Sequence, residues 1–334
     1  MNRARAAAEE VEAAQAGSTR ISSRVSARIL ENASIRVEVV PALGGKFISL
    51  YSKRTSTEWL LPPLRPHAEA KTTGGFEEWD GGGFDECLPT VAPTDTAPDH
   101  GEVWRHAWHE ETAERAVLLR TTALGGTVAF ERRAHLDGAS LLLDYSMENR
   151  SQRSQSLIYC AHPLLRVEQG DRVLLPAEVR DVVIEGSAGN RLGKRGARLA
   201  WPGPMVGEDL SVVGPPDGLQ ADKLFAGPVT DGWCALLRPS LDEGVELIFS
   251  SEVLPYLGLW ICRAAWPDSG AKKQYTVAFE PTASPHDSLA DAERDGTAWL
   301  LAPGERREWR LRFRIGTQSQ LEKNAQRGRA HDRG

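Results

Sequence analysis

The 334-residue sequence lacks the marks of several large classes of protein. It contains no apolar run approaching the roughly 18 residues of a membrane-spanning helix, so no membrane association is predicted. No block of Lys or Arg is interleaved with aromatic residues, which argues against nucleic acid as a partner. The segments GGK (44–46) and GGG (81–83) are not followed by the Gly-Lys-Ser/Thr pattern of a phosphate loop, so we expect turns there.

Cysteine is scarce, and its spacing argues against a metal site. The four cysteines are Cys87, Cys160, Cys234 and Cys262, and none forms a CxxC pair, so no zinc or other metal is predicted. Three of them lie in apolar, strand-like segments, which indicates reduced thiols in the core. The N-terminus lacks the apolar centre of a secretory signal and carries Glu9, Glu10 and Glu12 there. These features predict a cytoplasmic protein.

The composition is that of a globular protein able to bury a large core. Hydrophobic residues make up 41% of the chain and charged residues 26%, with a formal net charge of −6. Both ends are polar, and no Pro/Ser-rich linker divides the middle. We expect a flexible leader over residues 1–21, one domain over 22–317 and a flexible tail over 318–334. The sequence gives no indication of an oligomeric state.

Strand patterns dominate the middle of the chain. In REWRLRFRI (307–315), apolar and arginine residues alternate, which predicts a strand with one buried face. Similar patterns occupy 33–40, 116–123, 127–136, 139–147, 232–239, 244–251, 255–263 and 274–281. LGGT (124–127) and LDGAS (136–140) are typical of hairpin turns. The best internal helix signal is at 284–296, and no βαβ alternation or fixed repeat appears. We therefore predict an all-β fold with one large antiparallel domain.

Residues 98–111, PDHGEVWRHAWHEE, contain three histidines within ten positions. Their spacing fits no common metal template. If the segment is a strand, Trp104, His106 and Trp108 share one face and His109 lies on the other, so the three histidines cannot converge. His106 and His109 are then expected at a strand surface. His100 precedes a glycine in a Pro/Asp-rich loop, where functional side chains are often placed.

The same segment resembles part of the aldose 1-epimerase (galactose mutarotase-like) family. DHGEVWRHAWH follows GGGFDECLPTVAP, as a His-Gly pair and a Trp-bearing segment follow a glycine-rich turn in that family. CAHPLLRVEQGDRVLLP (160–176), ADKLFAGP (221–228) and LPYLGLW (254–260) come next in the family's order. VAFEPTASPHDSLADAERDGTAWLLAPGERREWRLRFRI (277–315) resembles its terminal block and is the most specific match. The resemblance covers about residues 30–316.

The resemblance implies a fold, an activity and a set of site residues. The fold is a β-supersandwich, and the activity is interconversion of the α- and β-anomers of an aldose without a cofactor. The implied site residues are Glu280 as base, His162 as acid, His100 and Asp222 as ligands of sugar hydroxyls, Trp260 against the apolar sugar face, and Arg105 and Glu86 as further binding residues. Trp79 and Asp80 stand where many members have a sugar-binding Arg, so the identity of the sugar stays open.

The residue types suit this chemistry, although other interpretations remain open. Opening a cyclic hemiacetal needs a base at the anomeric hydroxyl and an acid at the ring oxygen, and a carboxylate and an imidazole can supply both near neutral pH. Taken singly, Glu280, His162 and Asp222 could each have a purely structural role. The alternatives are a non-catalytic carbohydrate-binding or regulatory protein and a carbohydrate-cleaving lyase or hydrolase. A phosphosugar would require a basic pocket, for which Arg263, Lys272 and Lys273 are candidates.

Overall fold

The computed structural model describes residues 15–20, 25–67, 74–113, 115–203, 205, 207–268, 270 and 272–323. Within these ranges the chain is almost entirely β, and every pairing between its strands is antiparallel. The predicted all-β antiparallel fold is confirmed. No helix among the described residues is long and apolar enough to cross a membrane.

The larger sheet carries the candidate site and has twelve strands among the described residues. They are β1 (Gln15–Arg20), β2 (Ser26–Glu31), β3 (Ile35–Val40), β4 (Lys46–Ser52), β5 (Thr57–Glu58), β6 (Phe84–Cys87), β12 (Cys160–Arg166), β14 (Asp181–Ser187), β15 (Arg198–Ala200), β16 (Gln220–Ala226), β19 (Tyr256–Arg263) and β20 (Tyr275–Thr282). Their spatial order is β1-β2-β3-β4-β6-β12-β20-β19-β16-β14-β15, with β5 paired to β4. Strands that are distant in sequence therefore meet at the centre of the sheet.

The smaller sheet has eight strands in the same described ranges. They are β7 (His109–Ala113), β8 (Ala116–Ala123), β9 (Val128–Asp137), β10 (Ser140–Asn149), β13 (Arg172–Leu174), β17 (Trp233–Arg238), β18 (Glu243–Phe249) and β22 (Arg306–Gly316), in the order β13-β17-β18-β22-β10-β9-β8-β7. Strands β11 (Gln155–Leu157) and β21 (Trp299–Leu301) form a separate pair. The predicted hairpins at 124–127 and 136–140 connect β8 to β9 and β9 to β10.

The two large sheets enclose a common core. The predicted alternation in β22 is confirmed, since Trp309, Leu311, Phe313 and Ile315 are buried. Phe313 meets Phe84 of β6 across the core, with ring centroids 5.4 Å apart. Burying one such aromatic side chain contributes about 1.5–3 kcal/mol, and the inner faces of both sheets supply many of them. The four cysteines are all buried and unbridged, as expected.

The helices among the described residues are short. The expected helix at 284–296 is only α1 (Leu289–Arg294), which the side chain of Ser288 caps by accepting a hydrogen bond from the Asp291 amide at 3.3 Å. It is followed by Gly296, whose φ of +71° favours glycine. The 3₁₀ helices are Pro41–Leu43, Phe76–Glu78, Val103–Arg105, Ala188–Asn190 and Pro239–Leu241.

Both expected flexible ends are partly structured. Residues 15–20 of the expected leader form β1. This strand pairs with β2 and lies at one edge of the larger sheet. Residues 318–323 of the expected tail are helical, and Leu321 is fully buried. Residues 1–14 and 324–334 lie outside the described residues.

The histidine-rich segment corrects one expectation. Residues 103–105 form a 3₁₀ helix instead of a strand, and β7 begins only at His109. Trp104 and Trp108 are both buried, and their indole N–H groups donate to the carbonyls of Asp99 (3.0 Å) and Val103 (2.8 Å). The burial and hydrogen bonds of these two indoles therefore outweigh the strand preference that the alternation of residues 104–109 indicates. His106 is exposed outside any strand, whereas His109 lies at an exposed strand end opposite Arg120.

Candidate active site

A cleft of about 290 Å³ opens on the face of the larger sheet that points away from the smaller sheet. Four neighbouring strands contribute one side chain each to its lining: His162 (β12), Glu280 (β20), Trp260 (β19) and Lys223 (β16). Residues next to them in each strand, such as Ala161 and Phe279, point into the core between the sheets. The two-residue period of a strand therefore assigns these side chains to opposite faces.

The centre of the cleft is a carboxylate next to an imidazole. Nε2 of His162 lies 3.8 Å from Oε1 of Glu280. Glu280 is fully buried, and the residue His162 is 5% exposed. Neither Oε1 of Glu280 nor Nδ1 of His162 has a hydrogen-bond partner in the described protein. Buried polar atoms in proteins are normally paired, so these two atoms are available to a bound ligand.

Lys223 holds the other oxygen of the carboxylate. Its ammonium group forms an ion pair with Oε2 of Glu280 and lies 3.2 Å from Oδ1 of Asp287. Although burial acts to lower it, the carboxylates of Asp287 and Glu280 raise the pKa of Lys223 above its ordinary value, so the group is protonated. The thiol of Cys160 also points at Oε2, at 3.6 Å.

The pKa values of the central pair are displaced in opposite directions. Burial raises the pKa of Glu280, with a further contribution from Asp287, and the Lys223 ammonium opposes this increase. Burial lowers the pKa of His162 well below its ordinary value, with further lowering by His100, Lys223 and Lys46. Perturbed pKa values of this kind are typical of functional sites.

His100 reaches the cleft from the loop after β6. Its backbone has a φ of 60°, and Gly101 follows with a φ of +74°. A Cβ atom on Gly101 would lie 2.1 Å from the Leu88 carbonyl oxygen, so only glycine fits this turn. The imidazole stacks on Phe76 with ring centroids 4.0 Å apart, and its Nδ1 lies 3.0 Å from a carboxylate oxygen of Asp99. It therefore faces the cleft in a fixed orientation, 4.9 Å from the His162 ring.

Aromatic rings form much of the remaining lining. Trp260 donates a hydrogen bond from Nε1 to the side-chain oxygen of Gln274 at 2.9 Å. Trp266 meets it edge-on, with ring centroids 6.3 Å apart, and stacks on Phe76 at the same separation. A concave site with apolar walls and a few convergent polar groups is typical of small-molecule binding.

A buried charge network lies beside His162 in the larger sheet. Nζ of Lys46 contacts Oδ1 of Asp80 at 2.5 Å and Oδ2 of Asp85 at 2.9 Å, and Asp85 is the cross-strand neighbour of His162. Burial, together with the charge of Asp80, raises the pKa of Asp85 to about 6 against the opposing effect of Lys46. The predicted turn glycines on either side of the network are confirmed, with positive φ at Gly44, Gly45, Gly81 and Gly83.

Three of the site residues implied by the resemblance, Asp222, Glu86 and Arg105, lie outside the cleft. The carboxylate of Asp222 accepts hydrogen bonds from Ser187, Arg191 and Gln220 on the opposite face of β16. Glu86 lies between the sheets, bound by Arg132 (2.7 Å), Tyr145 (2.8 Å) and Tyr159 (2.8 Å). Arg105 donates to the Gly74 carbonyl and packs against Trp104. None of the three lines the cleft, because each lies on a different face or element from the cleft side chains.

Sequence reasoning missed several side chains that line the cleft, among them Phe76, Lys223, Trp266 and Asp287. Lys223 is adjacent to Asp222 in β16, and adjacent residues of a strand face opposite sides of the sheet. The sequence alone could therefore indicate that one of the two faces the cleft, but not which one. Asp287 lies within the terminal block, and Trp266 follows a recognised strand. The basic residues considered for a phosphate do not line the cleft. Arg263 is paired with Asp217, and Lys273 donates to backbone carbonyls.

Comparison of folds with solved structures gives consistent neighbours. The Slr1438 protein of Synechocystis sp. PCC 6803 aligns with a TM-score of 0.67 at 17% identity, over 90% of this chain and 99% of that one. A putative aldose 1-epimerase of Escherichia coli K12 aligns with a TM-score of 0.65 at 14% identity, over 86% and 98%. A galactose mutarotase-like protein of Lactobacillus casei aligns with a TM-score of 0.62 at 15% identity, over 87% and 100%.

The fold is therefore galactose mutarotase-like, as the sequence resemblance implied. No model of a protein family matches the sequence, and a search of curated proteins finds no match. At these identities the likeness concerns the fold, and the chemistry has to be argued from the cleft itself.

Proposed function

We propose that this protein is an aldose 1-epimerase-like isomerase that interconverts the α- and β-anomers of an uncharged aldose in the cytoplasm, without a cofactor. The observation that carries the proposal is the convergence of Glu280 and His162, 3.8 Å apart, in an aromatic-lined cleft. Each of them has one buried polar atom without a partner in the described protein.

In the proposed reaction Glu280 accepts the proton of the anomeric hydroxyl while His162 donates a proton to the ring oxygen. The bond between the anomeric carbon and the ring oxygen breaks, and the open-chain aldehyde forms. Rotation about the adjacent carbon–carbon bond then presents the other face of the carbonyl. Ring closure returns the proton from the new hydroxyl to His162 and the proton on Glu280 to the anomeric oxygen. No electron or group is gained or lost, so the pair is regenerated.

The direction of the Glu280 pKa shift favours its role as the base. A raised pKa makes the ionised Glu280 a stronger base, whereas the lowered pKa of His162 makes its protonated form a stronger acid but a less populated one near neutral pH. The Lys223 ammonium favours the ionised form of Glu280, which is the form that the reaction requires. The electrostatics of the cleft therefore support Glu280 as the base.

The other cleft residues suit a sugar. Trp260 and Trp266 offer aromatic surfaces to the apolar face of a pyranose, and His100 and Asp287 offer polar atoms to its hydroxyls. Three carboxylates line the cleft, at Asp99, Glu280 and Asp287, against one lysine. This balance disfavours a phosphate or another anion, which supports an uncharged substrate.

The proposal is tested by measuring anomer exchange by NMR on a panel of aldoses, with wild type and Glu280→Gln. The amide keeps the size of the side chain but cannot take a proton, so the exchange rate should fall by ~10²–10⁴-fold, the usual contribution of a general base. Lys223 retains Asp287 as an ion-pair partner in the variant. Thermal melting checks that the variant is folded.

Glu308→Gln is the matched control, because Glu308 is exposed on β22 and forms an ion pair with Arg306. It should exchange anomers at the wild-type rate. Wild-type exchange by folded Glu280→Gln would reject the proposed mechanism. Sugar binding without exchange would favour a non-catalytic carbohydrate-binding protein, and new products from an oligosaccharide would favour a lyase or hydrolase.

A further inference from the structure

We infer that Lys223 is a positioning residue that presents Glu280 as an ionised base, holding one carboxylate oxygen and leaving the other to face His162. The inference rests on the proposed function and adds a residue that neither the sequence patterns nor the resemblance pointed to. Lys223 enters from β16, two strands away from the strand that carries Glu280.

The geometry of Lys223 leaves it little freedom. Its ammonium group lies between Oε2 of Glu280 and Oδ1 of Asp287, and Nζ is 5.3 Å from the centroid of the Phe225 ring. The residue is only 8% exposed. Two carboxylates and an aromatic face therefore fix the position of the charge.

This contact makes the two oxygens of Glu280 unequal. Oε2 accepts from Lys223 and from the Cys160 thiol, whereas Oε1 has no hydrogen-bond partner among the described residues and lies 3.8 Å from Nε2 of His162. The oxygen that is directed towards the acid is the one that is free to accept a proton. Orientation by a neighbouring group of this kind is what a catalytic side chain requires.

The groups that face Glu280 show why a neighbouring cation is needed to keep its carboxylate ionised. β12 contributes Cys160 and His162, β16 contributes Lys223, and the loop after β20 contributes Asp287; His100 and Cys87 act from farther away. The cross-strand neighbour on β19 is Gly258, which has no side chain. Burial and Asp287 raise the pKa of Glu280, and Lys223 is the largest opposing influence.

The effect of removing Lys223 follows from these signs. Lys223 lowers the pKa of both Glu280 and His162, so its loss should raise both values. Glu280 would lose a direct ion pair, whereas His162 would lose only a coulombic contribution, so the pKa of Glu280 should rise more and the proton of the pair would lie on the carboxylate. That arrangement has no base at the anomeric hydroxyl.

The first experiment compares pH profiles of kcat/KM for anomer exchange. We expect Lys223→Met to displace both limbs to higher pH by about one unit or more, with about a tenfold or larger loss at pH values on the acid limb. Lys223→Arg keeps the charge and should stay close to the wild-type profile. Lys53→Met removes a surface lysine paired with Glu31 and serves as the matched control, with no displacement expected.

Asp287→Asn provides a test of opposite sign. Its carboxylate raises the pKa of Glu280, so the variant should move the acid limb to lower pH. The backbone carbonyl of Asp287, which accepts from the amides of Val91 (3.1 Å) and Ala92 (2.7 Å), is unaffected by the substitution. Displacement of the Lys223→Met and Asp287→Asn profiles in the same direction would contradict the inference.

The second experiment does not depend on activity. The side-chain carboxyl of Glu280, labelled with ¹³C and assigned with Glu280→Gln, is titrated by NMR in wild type, Lys223→Met and Lys223→Arg. A higher midpoint in Lys223→Met alone supports the inference, and equal midpoints in all three proteins overturn it. If wild type exchanges no aldose but the midpoint still rises in Lys223→Met, the isomerase proposal fails while the control of Glu280 by Lys223 stands.

Discussion

His162 and Glu280 face each other from two neighbouring antiparallel strands, with Nε2 of the first 3.8 Å from Oε1 of the second. The register of β12 and β20 places Leu164 opposite Ala278, so His162, two residues earlier in β12, and Glu280, two residues later in β20, share the same face. Both side chains therefore rest on the rigid centre of the larger sheet. A pair held in this way needs no loop movement to reach its geometry.

The burial of His162 predicts a dependence of stability on pH. Its pKa lies well below the ordinary 6.5 in the folded protein, while the unfolded chain takes up a proton near that value. The contribution of neutral His162 to the free energy of unfolding of wild type is therefore lost progressively as pH falls below about 6.5. His162→Gln cannot be protonated in either state, so its stability relative to wild type should rise below about pH 6.5. Denaturant unfolding at several pH values measures this, and a constant difference would contradict it.

The three histidines of residues 98–111 should separate by function. His100→Ala should strongly reduce anomer exchange, because this imidazole lines the cleft and is held by Phe76 and Asp99. His106→Ala and His109→Ala remove exposed side chains, so each should change the free energy of unfolding by no more than about 1 kcal/mol and leave exchange intact. Equal loss in all three variants, restored by added metal, would refute this division.

Chelation should not affect activity. The proposed acid–base pair needs no Lewis acid, and the four cysteines lack metal-ligand spacing. We expect the same rate of anomer exchange before and after treatment with EDTA. A loss of rate that zinc or manganese reverses would rule out the mechanism.

Glu86 should prove structural. It is fully buried and accepts hydrogen bonds from Arg132, Tyr145 and Tyr159 between the sheets. Glu86→Gln leaves the buried guanidinium of Arg132 without its charge partner, a change that typically costs about 3–5 kcal/mol. Denaturant unfolding should show this loss, while sugar affinity of the folded variant should match wild type. If Glu86→Gln has normal stability but a weaker affinity for sugar, Glu86 is a binding residue and the structural role is wrong.

The sheet arrangement could be predicted in outline because strand alternation is a local property. The apolar face of β22 and the hairpins at 124–127 and 136–140 follow from a two-residue period and from turn residues. The 102–108 segment could not be predicted in this way. There the two indoles of Trp104 and Trp108 find their hydrogen-bond acceptors in carbonyls of the same loop, and this closes a 3₁₀ turn.

The sequence by itself determined the β architecture, and its resemblance to the aldose 1-epimerase family implied one candidate site for His100, His162, Trp260 and Glu280. Tertiary structure alone decided which neighbour faces the cleft: Lys223 enters in place of Asp222, and Asp85 lies beside His162 on the adjacent strand while Glu86 is in the core. The physical reason is that a shift of one residue along a strand reverses the face of a side chain. Which face is the cleft depends on strands distant in sequence.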